Sequence, residues 1–243
     1  MKNLNQYIKE KLIVNKNYKL YTYDPKSFDE LRKIIDDRYK KLGPGTEQNP
    51  IDFNDVDVSN IRSFCNDNKD KGIFDSTRFK YIDISYWNVS SVTDMSFMFY
   101  SCELLKSVGD VSGWDVSNVT KLCGMFYGCE FFNQDISGWD VSNVTDMSSM
   151  FENCKYFNQN ISSWNVSNVT NMNGMFNGCE KFNKDLSNWD VSNVTDMSYM
   201  FQNCNSFNQD LSGWDVSKIK HFKYRSFMFR NCPIKDEYKP KFK

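Results

Sequence analysis

Cysteine is the residue in this chain best suited to chemistry, and most of its eight copies are evenly spaced. Five cysteines stand at the same distance after a tryptophan, namely Cys102, Cys129, Cys154, Cys179 and Cys204. The chain has no Cys-x-x-Cys pair, and a spacing shared with tryptophan is typical of a packed core, where free cysteine behaves as a small hydrophobe. We therefore expect reduced, structural thiols and no metal site, with a minority disulfide between neighbouring copies as the alternative.

Histidine occurs once, as His221, and does not suggest a catalytic site. A Ser-His-Asp or Cys-His arrangement needs a nucleophile beside the base and a group that orients it. The surrounding sequence, KIKHFKYR, offers neither. A phosphate-binding loop is also not visible. We therefore expect no catalytic residues and no cofactor, and an enzyme is disfavoured.

Aspartate recurs at three positions relative to tryptophan: one residue after it, seven after it and four before it. The first position holds Asp115, Asp140, Asp190 and Asp215, the second Asp94, Asp146 and Asp196, and the third Asp83, Asp110, Asp135, Asp185 and Asp210. Asparagine replaces aspartate at each position in some copy, and Lys121 stands at the second. Because Ca²⁺ needs six to eight oxygen ligands, these exchanges favour hydrogen bonds to nearby backbone over ion binding.

These residues belong to an internal repeat marked by tryptophan. The tryptophans are Trp87, Trp114, Trp139, Trp164, Trp189 and Trp214, and the first interval is slightly longer than the four equal intervals that follow it. A fixed period in the range of roughly 20–50 residues indicates a solenoid or a similar array, in which each unit buries its apolar side against its neighbours. We expect the tryptophans to form a structural ladder through the core.

Each copy predicts two structural elements. Apolar residues recur at steps of three and four after Val194, which predicts a helix or helical turns. The alternation of apolar and polar residues over positions 214–217 predicts a short strand. Equivalent strands of successive copies are expected to form a parallel sheet.

The repeated string FNQDLSxWDVSNVTDMSxMFxxC resembles the BspA-like leucine-rich-repeat family, which is common in surface proteins and lipoproteins of mycoplasmas and of gut and oral bacteria. The resemblance covers residues 79–232. It implies an α/β fold, a right-handed leucine-rich-repeat-like solenoid with short parallel strands on one side and helical turns on the other. It also implies adhesion or protein interaction rather than catalysis.

The ends differ from the repeat and divide the chain into three parts: an N-terminal α/β cap and linker (1–50), the solenoid (51–232) and a basic tail (233–243). In the cap, Ser27 and Glu30 fit a capping box, an apolar stripe runs to Leu42, and Gly43 ends the helix. Short strands are predicted at KLIV (11–14) and KLYTY (19–23). This leader resembles those of gut-bacterial and phage-encoded members of the family.

Two degenerate segments flank the regular copies. DVDVSNI (55–61) is a divergent first copy, with Val56 at the tryptophan position. At the other end, charged residues and prolines follow Cys232, a composition that protects an open sheet edge from pairing. The alternative for this basic end is recognition of an acidic partner.

Charge is unevenly distributed: residues 87–214 carry a net charge of −9 and residues 215–243 carry +6, while the whole chain carries −1. The near-neutral total gives no indication of a nucleic-acid partner. No apolar run approaches the roughly 18 residues of a membrane span. The N-terminus lacks the apolar stretch of a signal peptide, so we expect a cytoplasmic or virion-associated protein, with the cell surface as the alternative that the family implies.

Positions 10, 13 and 17 after tryptophan vary most between copies, and several hold aromatic residues. The candidate partner-binding residues are Phe97, Tyr100, Tyr127, Phe131, Tyr156 and Tyr199. Exposed aromatic patches are typical of interfaces; packing against loops or caps is the alternative. We expect a non-enzymatic protein-interaction or adhesion module, associated with a host surface or a phage virion, with an unidentified protein partner. A structural spacer or assembly component without a specific ligand is the alternative.

Overall fold

The computed structural model describes residues 21–66, 72–74 and 78–242. The regular elements in this part of the chain are few: helix α1 (Phe28–Leu42), strands β1 (Ile51–Asp52) and β2 (Ile82–Asp83), and two 3₁₀ turns. The 3₁₀ turns span Phe222–Arg225 and Asp236–Tyr238. The strand predicted at residues 11–14 lies outside the described residues. Of the strand predicted at 19–23, Tyr23 forms a parallel bridge with Val56.

Helix α1 begins and ends where the sequence predicts. Ser27 Oγ accepts a hydrogen bond from the Glu30 N–H at 3.2 Å, and the Gly43 N–H donates to the Tyr39 carbonyl at 2.8 Å. Gly43 has a φ of 73°, which glycine adopts without the steric cost of a Cβ. The prediction that Leu42 belongs to the buried stripe is wrong, because its side chain is 56% exposed at the end of the helix.

The first copy is attached to this helix and carries the short sheet. Strands β1 and β2 pair in parallel, with Ile51 opposite Ile82. The Val56 N–H donates to the carbonyl three residues earlier at 3.0 Å, as the Trp87 N–H does. Val56 therefore occupies the tryptophan position, as the sequence predicted.

Successive copies lie side by side in register. Parallel bridges join Asp94, Lys121, Asp146, Asn171 and Asp196 in sequence. A continuous stack of phenylalanine rings runs through the core, with centroids 5.3–5.8 Å apart, and consists of Phe74, Phe99, Phe126, Phe151, Phe176, Phe201 and Phe229. All six tryptophans are buried. Among the described residues, Trp114 and Trp139 are the only two tryptophans whose rings stack on each other, at 6.2 Å. Phenylalanine therefore forms the continuous ladder that was expected of tryptophan.

The backbone of each copy differs from the two predicted elements. The parallel bridges lie at the Asp of VTDMS and not in residues 214–217, where the strand was expected. The described residues between 87 and 214 contain no α-helix; instead, the apolar residues spaced by three and four lie on consecutive tight turns. Spacing alone could not distinguish the two, because turns closed every three residues also bring positions i and i+3 to one side.

Hydrogen bonding explains why turns replace the helix. The N–H groups of Met147, Ser149 and Phe151 donate to carbonyls of the next copy at 2.7–3.0 Å. The N–H groups of Met150 and Glu152, each of which follows one of these donors, donate to carbonyls three residues earlier in their own copy. An α-helix would direct all of these donors to carbonyls four residues back, and would leave this stretch without backbone bonds to the next copy.

The C-terminal residues fold back over the last copies. The Leu211 N–H donates to the Tyr238 carbonyl at 2.8 Å. Ile234 and Pro240 are buried, and Lys239 Nζ lies 5.9 Å from the centre of the Phe229 ring that ends the stack. The C-terminal residues thus cover the end of the stack, as expected if the tail protects an open edge from pairing with another chain. Among the described residues, the one α-helix is too short and too polar to cross a membrane.

Candidate interaction surface

Two surfaces run along the stacked copies and carry the residues that the sequence marked. We call positions 10, 13 and 17 after each tryptophan the turn face. We call the two aspartate positions beside tryptophan, one after it and four before it, the aspartate corner. The turn face varies between copies, whereas the aspartate corner repeats almost unchanged.

The turn face is built on backbone in the left-handed region. At position 10, the φ values are 58° for Phe97, 56° for Gly124, 53° for Ser149, 62° for Gly174 and 62° for Tyr199. Position 14 repeats this conformation four residues later in every copy. The left-handed region costs an L-residue roughly 1–2 kcal/mol, and glycine avoids that cost. The two positions impose the same backbone on very different side chains.

Glycine and larger residues alternate along position 10, so that two copies form one structural unit. A Cβ added to Gly124 would lie 2.7 Å from the ring of Phe97, which therefore rests directly on the glycine. A Cβ on Gly174 would lie 3.2 Å from Ser149 Oγ in the preceding copy. The missing Cβ in one copy accommodates the side chain of the copy before it, so the pattern of this face recurs at every second copy.

The first three candidate residues form one aromatic group. The rings of Phe97 and Tyr100 meet edge to face at 5.6 Å, and Tyr100 stacks on Tyr127 at 4.7 Å. All three are partly exposed. Partial burial raises the pKa of the Tyr127 hydroxyl, with the nearby Glu152 carboxylate adding to the effect. The Tyr127 hydroxyl thus remains a neutral hydrogen-bonding group at physiological pH.

The remaining candidates form two further groups. Phe131 and Tyr156 stack at 5.4 Å, and Lys106 Nζ lies 5.6 Å from the Phe131 ring centre. Tyr199 pairs with Phe227 in the last copy at 5.6 Å. Tyr156 is 48% exposed and has the largest exposure of the six candidates. The structure therefore divides the predicted patch into three groups of rings.

A polar network lies between the first and third groups. Glu152 accepts hydrogen bonds from Ser149 Oγ at 2.7 Å and from Asn177 Nδ2 at 3.0 Å. These residues occupy the copies that begin at Trp139 and Trp164. The turn face therefore presents aromatic rings, then amides and a carboxylate, then aromatic rings again.

Phe227 was not among the predicted binding residues, although the sequence contains a signal for it. The last copy contains three extra residues after Trp214, which moves Phe227 out of the column at position 10. Its local sequence SFMF is identical to residues 96–99, which contain Phe97. Both phenylalanines have left-handed φ values, 58° and 55°. Matching this string would have placed Phe227 correctly.

The aspartate corner is occupied by its own hydrogen bonds. Asp140 Oδ1 accepts the Ser142 N–H at 3.0 Å, and Asp135 Oδ1 accepts the Ser137 N–H at 2.9 Å. Asn165 accepts the Ser167 N–H in the same way at 3.2 Å. These contacts confirm the predicted bonding to nearby backbone. They explain why asparagine substitutes freely, since a turn of this kind needs only a side-chain oxygen.

The corner carboxylates remain exposed and charged. Hydrogen bonds from the hydroxyl and the N–H of Ser142 lower the pKa of Asp140 from its usual value. Ser117 does the same for the pKa of Asp115, against a smaller opposing effect of the neighbouring Asp140. Within the described ranges, no three histidine, cysteine or acidic residues come together in a group that could hold a metal ion.

Beneath both surfaces, tryptophan indoles donate to the carbonyl three residues before the preceding tryptophan. Trp139 Nε1 donates to the Val111 carbonyl at 2.9 Å, and Trp164 Nε1 donates to the Ile136 carbonyl at 3.2 Å. Trp114 Nε1 is buried without a protein partner. The longer interval between Trp87 and Trp114 breaks the regular spacing at this point.

The cysteine column bonds in the same manner. Cys154 Sγ donates to the Phe126 carbonyl at 2.9 Å, and Cys179 Sγ donates to the Phe151 carbonyl at 3.0 Å. Burial raises the pKa of Cys154 well above its usual value. All eight cysteines are free thiols. A small hydrophobe with a weak donor suits this position, and the hydrogen bond was not predicted from the sequence.

Comparison with known proteins identifies the repeat. The family described as "Mycoplasma protein of unknown function, DUF285" matches residues 47–147, 68–174 and 135–237, which together span most of the chain. This chain belongs to the DUF285 family. The three overlapping DUF285 matches also show that it is a repeat protein. No curated protein and no solved structure matches it significantly.

Proposed function

We propose that this DUF285 chain is a non-enzymatic protein-interaction module that binds a protein partner through the aromatic groups of its turn face. The observation that carries the proposal is the contrast between the two surfaces. The turn face displays exposed rings that differ between copies, whereas the side chains of the aspartate corner are engaged in their own turns. Specific recognition needs a surface that is not the same in every copy.

Backbone conformation supports a role for the rings at position 10. Phe97 and Tyr199 adopt left-handed conformations where Gly124 and Gly174 serve the same backbone. Bulky residues in this region carry a cost of order 1–3 kcal/mol, and such outliers cluster at functional sites. An aromatic residue at this position, in place of glycine, is consistent with a benefit other than folding.

The resemblance to BspA-like repeats extends the proposal to fold and setting. We propose a right-handed leucine-rich-repeat-like solenoid, supported by the fixed period, the in-register copies and the backbone bonds between them. By resemblance to members of the family, the chain binds a host surface or is associated with a phage virion. Aromatic residues are enriched among the side chains that dominate binding energy in protein interfaces.

A structural spacer is the second candidate function. The phenylalanine stack is continuous across the copies, and Asn143, Asn168 and Asn193 each donate from Nδ2 to a serine carbonyl of the preceding copy at 2.7–2.8 Å. Such copies hold one another without a ligand. A spacer requires no defined partner, and this distinguishes it from the first proposal.

The test is capture by the immobilised full-length chain from a host-cell lysate, with quantification of every retained protein. Three variants each remove two rings from one aromatic group: Tyr100→Ser with Tyr127→Ser, Phe131→Ser with Tyr156→Ser, and Tyr199→Ser with Phe227→Ser. The matched control, Asp140→Asn with Asp190→Asn, removes charge from the corner but keeps its turns. We expect saturable capture of a partner that at least one aromatic variant loses and the control retains.

Two outcomes would refute the interaction proposal. Capture of the same proteins by all variants would show that the turn face is not the site. Failure of any protein to bind saturably would favour the spacer. Melting curves of each variant identify losses that are due to unfolding.

A further inference from the structure

The last copy contains a protruding turn that the other copies lack. Three extra residues after Trp214 produce the 3₁₀ turn Phe222–Arg225. Phe222 is 74% exposed, the highest value for a large hydrophobic side chain among the described residues. Its ring makes no contact with another aromatic ring or with a cation in this part of the chain. The turn therefore presents an apolar side chain to solvent.

Positive charge accompanies this ring. Residues 215–243 contain nine basic and three acidic residues. Two of the acidic residues, Asp236 and Glu237, pair with Lys239 and Lys235 in the tail. Lys220 and Lys223, on either side of Phe222 in the sequence, are exposed and form no ion pair within the described ranges. The charge around the turn is thus available to an anionic surface.

We propose that this basic tip, residues 218–225, docks on the surface of an anionic lipid bilayer. Peripheral segments bind at the bilayer interface by burying apolar side chains among the headgroups while basic residues attract anionic lipids. The tip offers one apolar side chain between lysines. Each basic residue near an anionic surface contributes attraction equivalent to roughly a fivefold gain in binding. Insertion of the phenylalanine ring adds an apolar contribution that a neutral bilayer would also offer.

The composition of the tip favours lipid over the other anionic surfaces. Lysine is depleted at protein interfaces, where arginine is enriched. The tip has three lysines, Lys218, Lys220 and Lys223, and one arginine, Arg225, whose guanidinium lies 4.9 Å from the centre of the Phe242 ring. Proteins that bind single-stranded nucleic acid provide successive aromatic platforms along a basic groove. Here the Phe222 ring protrudes between two lysines, while the His221 and Tyr224 rings meet each other edge to face at 5.8 Å. One protruding apolar ring suits shallow insertion among headgroups.

Charge distribution also sets the orientation of the bound chain. Residues 87–214 carry −9 and would be repelled by anionic lipid, whereas the end of the stack carries +6 and would be attracted. The protein would therefore attach by its last copy. The turn face of the preceding copies runs along the stack and would stay free for a protein partner.

Vesicle co-flotation of the full-length chain tests this proposal. The vesicles are phosphatidylcholine alone or a two-to-one mixture of phosphatidylcholine and phosphatidylglycerol, at low and at high salt. We expect binding to the anionic vesicles at low salt, at least tenfold weaker binding to the neutral ones, and release at high salt because surface charge is screened. Lys220→Glu with Lys223→Glu should reduce binding at least tenfold.

Matched variants separate the tip from general effects. Lys181→Glu with Lys184→Glu makes the same charge change in a regular copy, and Tyr86→Ala removes a ring that is 71% exposed in the early copies. Phe222→Ala should weaken binding about tenfold, whereas Tyr86→Ala should leave it unchanged. Melting curves confirm that each variant is folded.

Several results would overturn the proposal. These are no binding to anionic vesicles, equal binding to neutral vesicles, or equal losses in the tip and control variants. Tight binding to a DNA duplex or to polyglutamate without vesicle binding would reassign the tip to a nucleic-acid or an acidic-protein partner.

Discussion

The aspartate corner and the turn face belong to the same copies and follow opposite rules. At the corner, Asp140 and Asn165 make the same turn with a serine two residues later, so the chemistry of the turn fixes the sequence. On the turn face, the left-handed position accepts Gly124, Ser149 and Tyr199 alike. Uniformity between copies therefore reports what the backbone needs. Variation at the left-handed position, where the backbone favours glycine, marks side chains on which function can act.

Loss of a central tryptophan has the largest expected effect, because both surfaces depend on the core beneath them. Trp164→Ala should lower the free energy of unfolding by about 3–5 kcal/mol, the usual loss for a buried large aromatic residue. Thermal or denaturant melts measure this change. A variant within about 0.5 kcal/mol of wild type would mean that tryptophan does not support the stack.

The buried thiols predict a loss of stability at alkaline pH. Burial raises the pKa of Cys154 in the folded chain, so its contribution is fully present below the unfolded thiol pKa of about 8.5 and is lost as pH rises above it. Each such thiol adds a slope of about 1.4 kcal/mol per pH unit. Cys154→Ser should reduce the slope by that amount. Cys123→Ser, at a half-buried thiol, should reduce it less. Denaturant unfolding at several alkaline pH values measures the slope of the unfolding free energy against pH. Equal slopes in the wild type and both variants would contradict the account.

Replacement of a glycine on each surface compares the backbone requirements of the two surfaces directly. Gly174 on the turn face has a φ of 62°, and an added Cβ would lie 3.0 Å from Glu152 Oε2. Gly213, beside Trp214 at the corner, has open space around its Cβ position. Gly174→Ala should cost about 1–2 kcal/mol of unfolding free energy, whereas Gly213→Ala should be neutral or slightly stabilising. Similar losses of unfolding free energy in the two variants would show that the left-handed turn at Gly174 does not favour glycine.

A smaller difference is expected between two tryptophans. Trp164 donates its indole N–H to the Ile136 carbonyl, whereas the buried Trp114 indole has no protein partner. Replacement by phenylalanine removes a hydrogen bond only at position 164. Trp164→Phe should therefore cost about 1 kcal/mol more than Trp114→Phe, as measured by urea unfolding. A larger cost at position 114 would show that its indole is bonded in solution.

The sequence predicted those features that depend on side-chain type and period. The copies, the buried tryptophans, the cap at Ser27 and the backbone role of the aspartates all follow from such signals. The conformation of the backbone within each copy could not be predicted from these signals. Steps of three and four in the apolar residues fit a helix and also fit successive turns, and only the destination of the N–H groups separates the two.

The candidate surface was also only partly predictable. Variation between copies located the six aromatic residues, but it did not show which rings would contact each other. The left-handed backbone at Ser149 was also not predicted, because no glycine reveals it there. Phe227 lay outside the expected column because of the three-residue insertion. A local conformation that does not require glycine leaves little trace in sequence.

The affinity of a captured partner for two paired variants tests the central claim most directly. Tyr127→Ala with Phe131→Ala removes rings from the turn face, and Asp140→Asn with Asp190→Asn removes charge from the aspartate corner. At physiological salt, we predict that the first pair weakens binding at least tenfold, about 1.4 kcal/mol, while the second leaves the dissociation constant nearly unchanged. The reverse result would contradict the account and place the binding site on the aspartate corner.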